Sequence, residues 1–239
     1  MKLSGKTALV TGGTDGIGRQ IARQLRGKGA SVIVSGRDPG RLAEARAEGF
    51  ETVGADLSTP AGVDALVAAM DGRPLDILVN NAGMGATYQV GDEIIVEGVE
   101  PCLFLNLQAP IQLITRLLPG LRERPEAMIV NVTSGLAIAP RASGPIYCAT
   151  KAGLRSFTMA LRAQLAKTRV HVLEVLPPVV ETRMTEGNRH RKMPASACAR
   201  QIIAAMERDR DEANVGMTKM LRLVESVSPA LARRIMLGY

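Results

Sequence analysis

The chain has no tryptophan and only three phenylalanines and three tyrosines among 239 residues. Stacking platforms for nucleic-acid bases are therefore scarce. The formal charge of +7 and the pI near 9.7 read as a soluble surface that attracts anionic ligands such as phosphates, and no nucleic-acid partner is expected. Cysteine is equally thin. Cys102, Cys148 and Cys198 are odd in number, widely spaced and without a CxxC pair, which excludes a disulfide framework, gives no zinc pattern and fits a reducing compartment. No run reaches the ~18 apolar residues of a membrane span. The apolar stretch before the first glycines is too short for a signal peptide. A cytoplasmic protein without a bound metal is the expectation, and no repeat, linker or low-complexity tract divides it.

Apolar residues, in contrast, make up 46% of the chain, ample for a large core. They fall in short Val/Ile/Leu runs at 6–11, 30–35, 50–54, 75–80, 127–133, 169–176 and 212–216, alternating with amphipathic stretches near 16–28, 40–48, 60–71, 98–119, 146–167 and 195–208. Near-continuous apolar strands belong in a sheet buried on both faces, and alternation with helices makes that sheet parallel. The pattern predicts an α/β fold: one doubly wound domain over 1–239, seven parallel strands with helices on both faces.

Directly after the first run comes TGGTDGIG, residues 11–18. Gly12, Gly16 and Gly18 stand where strand turns into helix. There they permit a tight turn, close approach of backbone to a pyrophosphate and close helix–strand packing. The helix N-terminus adds free N–H groups and a partial positive charge. This is the context of a Rossmann-type dinucleotide site. At the end of the second run, Gly36 and Arg37 occupy the place where NAD sites usually carry an acid. A guanidinium there suits a 2′-phosphate, with Ser35 able to add a hydroxyl.

Further on, YCATK places Tyr147 four residues before Lys151. On a helix the phenol and the ammonium share one face, and a fixed positive charge eases ionisation of a tyrosine. The pair alone is a weak motif. With NNAG at 80–83 and Ser134 thirteen residues before Tyr147, the chain from about residue 4 to 185 resembles the short-chain dehydrogenase/reductases, in their shorter oxidoreductase form. The resemblance implies a hydride transfer between NADP(H), or alternatively NAD(H), and a small-molecule carbonyl/alcohol pair. Tyr147 would be the general acid/base and Lys151 would lower its pKa and bond the nicotinamide ribose. Ser134 would hold the carbonyl oxygen and Asn106 would support a water chain. The resemblance also implies cofactor contacts from Thr14, Asp15 and Ile17 in the phosphate loop and from Asp56 and Leu57 near the adenine. Asn80, Ala82 and Gly83 would lie beside the ribose, and Val180 and Thr182 near the carboxamide. It further implies a homodimer or homotetramer.

Two departures from the family pattern stand out. LPPVVET puts Pro178 where glycine is usual, a form resembling a subgroup named after an oxidoreductase of the D-alanylation operon. Asp15 is an acid where NADP-preferring relatives often have a base, and it would repel a 2′-phosphate. Residues 183–195 are expected to form a substrate lid, with His190 in a basic run that either binds an anion or is a solvated loop. His171, in an apolar strand, and Cys148 are expected to be structural. The helical tail 217–239 carries Met217, Leu221, Val224 and Val227 in one stripe, suited to packing on protein or to peripheral membrane contact. A non-catalytic NAD(P)-sensing protein is the alternative to an enzyme, disfavoured because Asn106, Ser134, Tyr147 and Lys151 are all present.

Overall fold

The computed structural model describes residues 1–91, 93–187 and 191–238. Among them the strands are β1 (Thr7–Thr11), β2 (Ser31–Gly36), β3 (Glu51–Gly54), β4 (Ile77–Asn80), β5 (Thr87–Val90), β6 (Ile94–Glu97), β7 (Ala127–Val132), β8 (Val170–Leu176) and β9 (Glu212–Asn214). The helices are α1 (Gly16–Gly27), α2 (Pro39–Ala47), α3 (Pro60–Ala69), α4 (Val99–Leu103), α5 (Ala109–Arg122), α6 (Pro145–Leu165), α7 (Ala195–Glu207), α8 (Thr218–Val227) and α9 (Pro229–Leu237).

The seven anticipated strands pair in parallel in the order β3-β2-β1-β4-β7-β8-β9. Successive side chains of a strand point to opposite faces, and both faces here are covered. Ala8 and Val10 join Ile21 and Leu25 of α1 and Ile202 of α7 in one layer. Leu9 between them joins Leu66, Leu113 and Leu161 of α3, α5 and α6 in the other. The chain runs outward through β1, β2 and β3, then returns to place β4 on the opposite side of β1. At such a reversal a crevice opens beyond the carboxyl ends of the strands.

The stretch expected to be helical over 98–119 is helical from Val99 to Arg122, with its hydrogen-bond ladder widened in the middle. Between α4 and α5 lies a π-helical turn, Phe104–Gln108, closed by the Ala109 N–H donating to the Phe104 carbonyl. Pro110 has no N–H to offer the Asn106 carbonyl one turn back, so the ladder widens there. One difference is the β5–β6 hairpin, which lies outside the seven anticipated strands. Every position of both strands is exposed, so no buried face marks it in the apolar pattern.

Candidate active site

Over the crevice lies a cavity of about 780 Å³. One wall is the β1–α1 turn, where Gly12 and Gly16 have φ of +61° and +52°, in the left-handed region that favours glycine. A Cβ on Gly12 would stand 3.0 Å from the Ala82 Cα, and one on Gly18 would stand 2.3 Å from the Gly12 carbonyl oxygen. Gly12 and Gly16 line the cavity with Thr14, Asp15 and Ile17. Gly18 instead lets α1 pack against the turn. Asp15 caps the helix by accepting from the Gly16 N–H at 2.7 Å. Thr11 Oγ1 accepts from the Asn81 and Ala82 N–H groups, both at 3.0 Å, which holds the 81–83 segment beside the glycine turn.

That segment corrects one expectation. Asn80 does not face the cavity: its Nδ2 donates to Asn131 Oδ1 at 2.9 Å inside the sheet, and Asn131 in turn donates to Thr158. Asn81 lines the cavity beside Ala82 and Gly83. Asn80 closes strand β4, where a side chain on the covered face meets β7 and not the crevice.

The far end of the cavity is lined by Ser35, Arg37, Asp56 and Leu57, as expected, and also by Arg41, which the sequence reading passed over. Ser35 Oγ is buried with no hydrogen-bond partner among the described residues. Arg37 Nη1 lies 3.5 Å from Asp56 Oδ2. Burial pushes the Asp56 carboxyl up, but two bonds from Ser58 and the charge of Arg37 outweigh it, and its pKa ends below the ordinary value. Asp15 has two partners, because its second oxygen meets Arg41 Nη1 at 3.3 Å. The signal for Arg41 was its place in GRDPGR: capped by Asp38 and opened by Pro39, α2 turns it back toward the crevice.

At the other end stand Ser134, Tyr147 and Lys151. Ser134 follows β7, and its Oγ accepts from the Leu136 N–H at 3.1 Å. Tyr147 and Lys151 share the cavity face of α6, with Nζ 5.8 Å from the phenol ring centroid. Lys151 donates to the Val132 carbonyl at 2.8 Å. Burial pulls the Lys151 pKa down to about 8. Tyr147 is pushed the other way: surrounding protein raises the phenol to about 12, with the Ser134 hydroxyl working against the rise. The lowering of the phenol's pKa expected from Lys151 is not what the packed site shows, where burial carries the phenol upward. Both groups share one low-dielectric wall, which penalises the charged form of each. Asn106 is fully buried behind this group. Its amide accepts from the Met84 N–H at 2.9 Å and donates to the Met84 carbonyl and to Thr150 Oγ1. It stitches the 83–84 segment to α6 and does not line the cavity.

The family model described as short chain dehydrogenase matches residues 6–193. The chain belongs to the short-chain dehydrogenase family. This short-chain dehydrogenase is 42% identical over 199 residues to the uncharacterized oxidoreductase DltE of Bacillus subtilis, covering 80% of this chain and 78% of the relative. It is 35% identical over 177 residues to the NADP-dependent 3-hydroxy acid dehydrogenase YdfG of Salmonella typhimurium, covering 72% and 71%. A solved short chain dehydrogenase from Burkholderia cenocepacia, in complex with NADP, superposes with a TM-score of 0.89 over 99% of both chains at 25% identity.

Val180 and Thr182 line the cavity next to Pro178, and an isolated bridge pairs Val180, just before the expected lid 183–195, with Met193 near its end. His190 lies outside the described residues. His171 Nε2 is hydrogen-bonded to the Arg210 carbonyl at 2.9 Å, and Cys148 is buried. Among the described residues no His/Cys/Asp/Glu group could hold a metal and no helix is long and apolar enough to cross a membrane.

Proposed function

We propose that this oxidoreductase moves a hydride between NADP(H) and a small carbonyl/alcohol pair, with Tyr147 as general acid/base. The observation that carries the reading is that Ser134, Tyr147 and Lys151 line one end of the same cavity whose other end is the glycine turn. The residues present fit a dinucleotide: a turn with backbone bared by Gly12 and Gly16, a capped helix N-terminus, and at Ser35 a buried hydroxyl in need of a partner. NADP(H) is preferred to NAD(H), because a Cβ at Gly36 would stand 2.7 Å from Thr14 Oγ1, so the acid of an NAD site has no room while guanidinium groups are at hand. A relative described as NADP-dependent and a solved relative in complex with NADP agree with this choice, while other similar solved structures hold NADH or NAD.

Held by the glycine turn and the end of the cavity at Ser35, Arg37 and Arg41, a dinucleotide would supply the hydride. Ser134 and Tyr147 hold the carbonyl oxygen, and Tyr147 gives it the phenol proton as the new C–H bond forms. The raised pKa of Tyr147 keeps that proton in place at neutral pH, and the Lys151 ammonium offsets the negative charge that develops on the phenol oxygen. Asn106 positions α6 against the 83–84 segment. Aldehydes, ketones and alcohols screened by the absorbance of reduced nicotinamide test the reading. Tight dinucleotide binding with no turnover on any of them would instead support a sensor.

A pH profile follows from the shifts. Carbonyl reduction should hold steady below neutrality and decline as pH rises through about 8, where Lys151 loses its charge. A rate that climbs through that window would contradict this role. The same shift bears on stability. The folded pKa of Lys151 lies below its ordinary 10.5, so the burial penalty is full below pH 8 and is relieved between about pH 8 and 10.5. Lys151→Met should therefore abolish most turnover yet stabilise the fold at pH 7 by on the order of 1–2 kcal/mol, after allowing for the Val132 bond it gives up. Thermal melts check the sign.

The tail leaves Met217, Leu223 and Val227 exposed, and a homodimer or homotetramer would cover them. Light scattering is expected to show two or four copies. A monomer that binds anionic vesicles through the tail would favour a membrane contact instead.

A further inference from the structure

We propose that Arg41 is the residue that discriminates the 2′-phosphate, and that Asp15 positions it and does not act as a repulsive charge. The inference rests on the dinucleotide reading above.

The two arginines at this end differ in how they are held. The Arg37 side chain is 63% exposed and meets a single carboxylate, Asp56, at 3.5 Å. The Arg41 side chain is 33% exposed and lies between two carboxylates from different elements: Nη1 is 3.3 Å from Asp15 Oδ2 and Nη2 is 3.6 Å from Asp38 Oδ2. Both aspartates are anchored in turn. Asp15 Oδ1 accepts from the Gly16 N–H and Asp38 Oδ1 from the Arg41 N–H at 2.9 Å. A guanidinium has five N–H groups in a rigid fork. Two of its nitrogens face carboxylates here, and N–H groups remain for a ligand. The rotamer entropy lost on phosphate binding is small for a side chain already fixed and full for one that is not. The buried Ser35 hydroxyl lines the same end of the cavity without a protein partner.

Charge counting leads to the opposite expectation. Apart from Lys151 at the Tyr147 end, Arg37, Arg41 and Arg183 line the cavity with Asp15, Asp38 and Asp56, three cations against three carboxylates. Neutralising Asp15 would leave a net positive end, so by charge alone NADPH should then bind more tightly. If Asp15 instead holds the fork of Arg41 toward the cavity, the same change weakens NADPH.

Calorimetric titration of NADPH and NADH at one ionic strength separates these cases for the wild type, Asp15→Asn, Arg41→Ala and Arg37→Ala. Asparagine remains a good helix cap, so NADH affinity in Asp15→Asn should stay within about two-fold of wild type. Arg41→Ala should reduce the NADPH-over-NADH ratio by about ten-fold, the loss of one charge-assisted contact. Asp15→Asn should reduce it by roughly three- to ten-fold, and Arg37→Ala by less than Arg41→Ala. The inference is overturned by a ratio that rises or stays level in Asp15→Asn, by equal weakening of both dinucleotides in that variant, or by a preference that disappears with Arg37 alone. A wild type that binds neither dinucleotide overturns the reading of the site itself, and the inference with it.

Discussion

Tyr147→Phe is expected to lower turnover by roughly two to four orders of magnitude, the range that a positioned acid/base contributes, while fold and dinucleotide affinity remain close to wild type. The ring is kept, so its packing on α6 is kept. What goes is the one proton the site can deliver to a carbonyl oxygen. Ser134 retains its hydroxyl but is a poor acid. Its oxygen accepts from the Leu136 N–H, which leaves the hydroxyl proton free to hold the carbonyl oxygen but not to be given up at neutral pH. Steady-state rates and NADPH titration on the same sample check both halves. A kcat within a few-fold of wild type would remove Tyr147 from the mechanism.

The second large effect lies one helical turn beyond Lys151. Arg155 reaches Glu174 at 2.6 Å and Glu212 at 3.1 Å, and the Glu174 side chain is 0% exposed. Glu174 also accepts from Thr133 Oγ1 at 2.8 Å, the residue just before Ser134. Burial raises the Glu174 pKa despite the Arg155 charge and these bonds, while Arg155, paired with two carboxylates, is itself raised. The attraction thus stabilises the guanidinium but does not fully offset burial of the carboxylate. Arg155→Leu leaves that carboxylate nearly alone in the interior and should cost about 3–5 kcal/mol, a large share of the roughly 5–15 kcal/mol that holds a domain together. The sign with pH is set by the raised pKa of Glu174. The loss should be smallest at acid pH, where a carboxyl with a raised pKa takes up its proton, and should grow as pH rises. Glu174→Gln, which can still accept from Thr133, should cost clearly less. Urea denaturation at pH 5 and pH 8 measures this, and a loss under about 1 kcal/mol at pH 8 for Arg155→Leu would refute the account.

Much of the fold was legible because buried parallel strands leave an unmistakable mark. The runs 127–133 and 169–176 are apolar on both faces, and their observed cores, β7 and β8, fall within them. The β5–β6 hairpin was not legible. Its strands carry Val90 and the short run Ile94, Ile95 and Val96 in exposed positions, and a run of three is too short to mark a covered strand. The π-helical turn could have been read from Pro110 lacking the N–H that Asn106 needs, but nothing in the sequence says which way a widened turn aims its side chains.

The local chemistry of this protein was written in its sequence: the glycine turn after β1, the Tyr147–Lys151 pair one helical turn apart, and Gly36 in place of an acid. These depend on backbone geometry within a few residues, which composition and spacing govern directly. The environment of each charge was decided only by tertiary structure. Asn80 and Asn81 are neighbours in the chain, yet Asn80 ends β4 and bonds across the sheet, while Asn81 lies beyond the strand, donates to the Thr11 carbonyl and lines the cavity. Asp15 and Arg41 are twenty-six residues apart and meet at 3.3 Å. Lys151 and Tyr147 are shifted by the protein packed around them more than by each other. A charge acts through its distance and dielectric surroundings, and both are set by the elements that fold across it.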